Sequence, residues 1–198
     1  MEIQQHGDYM KKTIIALVAT LAVGVASAAD LSSVGETGKV VTAETSFDVS
    51  NGINYEGASL GGQLNLGAKG SIALDVASDK NFSDALVTAT YANGGNIGPV
   101  KLVGALSLGR VIDAEVNGAA LAVEGQFKLV GPFVGFVGGQ EALLFGDSRF
   151  TGAARVSTAS AGTYVKLGSL VGKVGYGRSW YGSGIHSNGV VASLSLKF

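Results

Sequence analysis

The sequence predicts an all-β protein: a closed, antiparallel, up-and-down transmembrane β-barrel of about ten strands, with eight as the second choice. Three observations carry this. Apolar and polar residues alternate in run after run, glycine fills 31 of 198 positions, and short glycine turns alternate with longer polar connections. Period-two alternation describes a strand with one apolar and one polar face. Glycine at this density argues against a helical bundle, because each interior glycine costs a helix about 1 kcal/mol relative to alanine.

The chain opens with a segment that reads as an address. Residues 1–9 resemble neither a leader nor a fold. From Met10, Lys11-Lys12 precede the apolar run Thr13 to Val25, and Ala26-Ser27-Ala28 follows. A positive pair, a short apolar run and an A-x-A site predict a cleaved signal peptide over 10–28. That run falls short of the roughly 20 residues a membrane helix needs. No later stretch is long and apolar enough to span as a helix, so an exported chain that enters hydrocarbon must do so as a closed barrel. Residues 29–198 are then one barrel domain.

Ten strands follow, at about 39–49, 53–66, 71–78, 84–93, 99–109, 118–129, 132–139, 149–167, 170–179 and 189–198. In the first, Val41, Ala43, Thr45 and Phe47 oppose Thr42, Glu44, Ser46 and Asp48. In the second and third, Leu64 and Leu66 oppose Gln63 and Asn65, and Ile72, Leu74 and Val76 oppose Ser71 and Asp75. Leu102, Leu106 and Leu108 alternate with Lys101, Ala105 and Ser107; Leu121, Val123 and Phe127 alternate with Ala122, Glu124, Gln126 and Lys128. The last strand is the clearest: Val190, Ala192, Leu194, Leu196 and Phe198 share one face. Short turns fall at 67–70, 94–98, 130–132 and 168–169, and longer connections at 50–52, 79–83, 110–117, 140–148 and 180–188. An even strand count places both termini on one side. Aromatic residues gather near the two ends: Phe47, Tyr55, Phe82, Phe145, Phe150, Trp180 and Tyr181 near the longer connections, Tyr91, Phe127, Phe133 and Phe198 near the turns. Two aromatic belts bracketing an apolar band fit a barrel in a bilayer. Phe136, Tyr164 and Tyr176 fit neither belt.

Composition removes several classes of function. A net charge of −1 gives no basic excess for nucleic acid. With no cysteine, disulfides, thiolate zinc sites and iron–sulfur clusters are excluded. His186 is the lone histidine after residue 28 and has no second ligand at useful spacing, so neither a metal nor a cofactor is expected. Ser183 or Ser187 beside His186, with Asp147 from another loop, forms the only candidate nucleophile set. It sits in a Gly/Ser turn with no G-x-S-x-G elbow, and the chain is not expected to be an enzyme.

The signal peptide, the ten alternating segments and the ending Leu194-x-Leu196-x-Phe198 together resemble a small bacterial outer-membrane β-barrel protein. The resemblance is one of architecture, spans essentially all of 29–198, and singles out no subfamily. It implies an outer-membrane location with both termini in the periplasm, and outer-membrane lipids as partners. It also implies that Leu194, Leu196 and Phe198 form the signal read by the barrel assembly machinery during insertion.

Function then rests on the inward face. Strand parity turns Glu44, Asp48, Asp75, Lys101, Glu124, Lys128, Arg155, Lys166, Lys173 and Lys197 toward the lumen. Two readings follow: a membrane-structural barrel whose lumen is filled by ion pairs, or a narrow porin-like passage for small solutes whose basic excess favours anions. Small inward residues such as Ala105, Ala122, Ser193 and Ser195 leave space that the second reading needs. Other readings are a surface protein that binds or adheres through the 140–148 and 180–188 loops, and a soluble periplasmic barrel binding an apolar ligand. Glu141 to Phe145 is unusually apolar for a loop and reads as a strand extension or a contact patch.

Overall fold

A computed structural model describes residues 30–80, 85–112, 116–145, 154–181 and 185–198. The expected signal peptide over 10–28 and the loop residues Phe82, Asp147, Phe150 and Ser183 lie outside these ranges. Ten antiparallel strands close into a barrel: β1 (Thr37–Asp48), β2 (Asn54–Leu66), β3 (Ser71–Asp79), β4 (Ala85–Ile97), β5 (Val100–Val111), β6 (Val116–Lys128), β7 (Phe133–Phe145), β8 (Ala154–Leu167), β9 (Leu170–Tyr181) and β10 (Ile185–Lys197). Each strand pairs with its sequence neighbours, and β1 pairs with β10 from Val40 opposite Lys197 to Asp48 opposite Gly189. Closure leaves no sheet edge unpaired. The ten-strand count holds, and the eight-strand alternative is excluded.

At one end, here the turn end, lie Gly67–Lys69, Gly98-Pro99, 129–132, Gly168-Ser169 and the start and finish of the ring. The other is the loop end. Several boundaries differ from expectation, and β10 begins at Ile185, four residues before its expected start. β4 continues through Gly94 to Ile97, so that turn shrinks to two residues. β7 continues through Glu141 to Phe145, turning Leu143 and Phe145 outward and Ala142 and Leu144 inward. The apolar 141–145 stretch is thus strand and not loop, as its alternation requires.

The seam where β1 meets β10 needs glycine. Gly38 has φ +124°, and a Cβ there would lie 2.7 Å from the carbonyl oxygen of Phe198. Only glycine takes up both that backbone and that approach without strain. Phe198 and Lys39 then exchange backbone hydrogen bonds at 2.8 and 3.2 Å, completing the ring.

The two faces follow the parity of the sequence. Leu60, Leu74, Leu106, Leu108, Leu121 and Leu194 point outward and are each more than half exposed. A water-soluble monomer rarely displays so large an apolar surface, whereas a bilayer covers it. The interior begins with hydroxyl pairs that tie neighbouring strands: Thr42 with Ser195 at 2.9 Å, Thr90 with Ser107 at 2.8 Å, and Thr158 with Ser179 at 3.0 Å. Such cross-strand pairs satisfy groups that would otherwise be buried and unbonded.

Candidate functional site: a filled lumen

The turn-end mouth is occupied by a piece of chain outside the ten strands. Residues 30–34 fold back into the lumen around a 3-10 turn, Leu31–Ser33, and all five are buried to 4% exposure or less. Asp30 starts the turn. Its Oδ1 accepts from the Ser32 amide at 3.1 Å and the Ser32 hydroxyl at 2.5 Å, and its carbonyl accepts from the Ser33 hydroxyl at 2.8 Å. An Asp at this position caps orphan amides as it would at a helix start.

Sequence decides where this plug fits. Ala92, Ala105 and Ala122 stand side by side on consecutive strands, at one level of the inner wall. With Ala73 and Val103 they form a shallow bed against which Leu31 and Val34 pack. Full burial of two such side chains contributes about 1.5–3 kcal/mol each. Polar wall residues hold the plug's backbone and hydroxyls. Gln63 Nε2 donates to Ser33 Oγ at 3.1 Å, as does Asn65 Nδ2 at 3.1 Å. Lys101 and Lys166 both donate to the carbonyl oxygen of Ser32, at 3.1 and 2.9 Å. Glu36, just beyond the plug, meets Lys197 at 2.8 Å and Lys166 at 3.8 Å.

A second barrier lies deeper. Glu124 accepts from Gln126 at 2.7 Å and from the Tyr164 hydroxyl at 2.9 Å. The Tyr164 ring meets Phe136 at 5.0 Å between centroids, and Lys173 Nζ stands 5.1 Å from the Phe136 ring and 5.6 Å from that of Tyr164. The ammonium thus faces two π-systems, a favourable arrangement once water is excluded. Phe136 lies over glycines: a Cβ at Gly162 would come within 2.7 Å of its Cε1, and one at Gly175 within 2.9 Å of its Cζ. The ring occupies space those side chains would take.

Toward the loop end one side of the lumen becomes apolar, while Ser46 and Asp79 are buried on the other. Ala77, Leu86, Val111, Val116, Leu144 and Val156 belong to one buried cluster contributed by six strands, with Tyr181 packed against it. Small cavities interrupt the filling, among them one of about 10 Å³ beside Thr88, Ser107, Ala120 and Leu144. One of about 30 Å³ touches Glu124, Phe136, Gln140, Thr158 and Lys173, and another of about 10 Å³ touches Glu44, Ser59, Asp75 and Thr88. Each of these has room for a water or two.

The predicted inward residues are distributed unevenly. Glu44, Asp75, Glu124 and Lys173 are buried inside, while Lys101, Lys166 and Lys197 are half-buried at the turn-end mouth. Lys128 is exposed at the turn-end rim, and Asp48 sits at the loop-end rim, where its Oδ1 accepts from the Ser50 amide at 2.8 Å. Arg155 is a correction. It faces outward and pairs with Glu141 on the exposed face, because β8 runs without a bulge and gives Arg155 and Lys166 opposite parity. Tyr181 is another: it joins the interior cluster rather than the outer belt. Leu194 and Leu196 lie on the apolar exterior, and Phe198 is exposed at the turn end. His186 is exposed, while Ser187 pairs with the Tyr181 hydroxyl at 3.0 Å. Among the described residues no group of three or more His, Cys, Asp or Glu is placed to hold a metal ion.

Sequence reasoning missed the plug and the Phe136–Tyr164 barrier. Their signals were present: alanines on adjacent inner positions, and aromatics that fitted no belt.

No family model matches this chain, and no curated protein does. Among solved structures it is similar to Neisserial surface protein A, with 13% identity, a TM-score of 0.40, and coverage of 82% of this chain and 98% of that one. It is also similar to the outer membrane protein Omp33 of Acinetobacter baumannii, with 8% identity, a TM-score of 0.43, and coverage of 82% and 98%. A third is a loop-deletion variant of OmpT, an outer membrane protein of Vibrio cholerae, at 11% identity and a TM-score of 0.43, covering 81% of this chain and 62% of that one. These similar structures are bacterial outer-membrane barrels, and the likeness is one of architecture.

Proposed function

We propose that this protein is an outer-membrane barrel with a membrane-structural role and a lumen closed at rest, its turn end facing the periplasm. The observation that carries the reading is the plug: five residues that belong to no strand are buried in the mouth and held by the wall. The Tyr164–Phe136–Lys173 layer and the apolar cluster behind it support the same reading. The exposed leucines support membrane insertion. A soluble barrel with an apolar ligand would turn its large apolar residues inward, whereas here Leu60, Leu74, Leu106 and Leu121 are more than half exposed. Leu194, Leu196 and Phe198, exposed beside the closing seam, suit a signal read by the assembly machinery.

Narrow porin-like passage is the second reading, favoured by the separateness of the plug from the ten wall strands. Conductance in a planar bilayer separates the two, with a shift in gel mobility between heated and unheated samples as proof of folding. A folded, electrically silent protein is expected. Discrete conductance steps from the unmodified protein would overturn the closed reading and favour passage.

A further inference from the structure

The middle of the plug is held by two cations. Two lysine side chains from strands on different parts of the ring, Lys101 on β5 and Lys166 on β8, converge on one neutral oxygen, the carbonyl of Ser32. Each ammonium carries a full positive charge, and a carbonyl neutralises neither. Lys197 adds a third ammonium through Glu36, which it shares with Lys166. The acids whose charge reaches Lys101 and Lys166 are Glu36 and Asp30. Both belong to the same N-terminal segment as Ser32. The wall therefore supplies the cations, and the folded-back segment supplies a carbonyl and two carboxylates.

We propose that Lys101, Lys166 and Lys197 form a binding site for a phosphate group at the periplasmic mouth, and that residues 30–36 occupy it as an internal stand-in. The inference rests on the closed-barrel reading and adds the ligand class that competes with the plug. Phosphate suits the site because its oxygens accept charge-assisted hydrogen bonds from several lysines at once, roughly twice as strong as those to a neutral acceptor. Gln63 and Asn65, now bound to Ser33, stand ready as neutral donors beside the lysines. Access is from the periplasmic side, since Lys101 and Lys166 lie at the turn ends of their strands and are only partly buried.

The test uses the absence of native cysteine. Ser32→Cys, on protein purified from membranes in detergent, places a thiol of similar size where Ser32 is 0% exposed without removing the apolar anchors Leu31 and Val34, and a maleimide reports when it becomes accessible. Slow labelling is expected in chloride, with acceleration of about tenfold or more that saturates with inorganic phosphate at constant ionic strength. Adding Lys101→Gln and Lys166→Gln should abolish the phosphate dependence, whatever it does to the basal rate, and Lys101→Arg with Lys166→Arg should keep it. Equal rates in chloride and phosphate, or equal acceleration in the Gln variant, would overturn the site. Rapid labelling in chloride alone would overturn the seated plug itself. The bilayer measurement reports separately on the closed reading: a silent barrel without phosphate dependence rejects the site and leaves that reading standing.

Discussion

The two halves of the lumen are filled by different means. At the loop end the wall closes itself: Leu86, Val111, Val116, Leu144 and Val156 reach inward from five strands and meet. At the turn end the wall stops short. Alanines at 73, 92, 105 and 122 leave a space, and a separate segment with its own hydrogen bonds fills it. A core made by wall side chains cannot leave without unfolding the barrel. A core made by an inserted segment can leave while every strand stays paired. The difference assigns stability to one half and any capacity to open to the other.

Substitutions at matched positions sharpen this contrast. Leu86, 2% exposed in the loop-end cluster, should give the largest loss. Leu86→Ala should lower unfolding stability in urea by about 2–5 kcal/mol, since the ring cannot collapse onto the cavity. It should leave the mouth closed, with no conductance. Leu31→Ala removes a side chain as deeply buried, yet should cost less, about 1–3 kcal/mol, because the segment can detach instead of holding a void open. Its clearer effect should be proteolytic sensitivity near residues 30–36 in a barrel that remains heat-modifiable on gels. Equal losses for the two would mean that the plug is as integral as the wall. Tyr164→Phe should be smallest, about 1 kcal/mol, because Glu124 loses the tyrosine hydroxyl but keeps Gln126. A loss above that of Leu86→Ala would move the main closure from the apolar cluster to the middle layer.

How much of this was legible in the sequence differs along the same axis. Strands such as β5, β6 and β10 declare themselves, since period-two alternation with leucines on one face leaves one way to sit in a bilayer. Glu44, Asp75, Glu124 and Lys173 follow from that parity alone. Arg155 was misplaced because it was given the same face as Lys166, although eleven residues of strand without a bulge put the two on opposite faces and send Arg155 outward to Glu141. Phe136 and Tyr164 were obscured for a related reason. Aromatics in a barrel are expected at its rims, but the glycines at 162 and 175 that make an interior place for Phe136 act from other strands. The plug leaves no periodic trace, because five residues in a single turn have no repeat to read. Its counterpart was visible as small inward residues such as Ala105 and Ala122, and the space they leave is where Leu31 and Val34 pack.

One feature of the seam reaches into how the molecule is made. The bonds between Lys39 and Phe198 join residues near opposite ends of the chain, so the ring can be sealed only after its last strand has arrived. Contacts so distant in sequence form late and slowly. The folded-back residues lead straight into β1, whose pairing with β10 is that final act. The segment that fills the mouth is therefore joined, through β1, to the pairing that seals the ring.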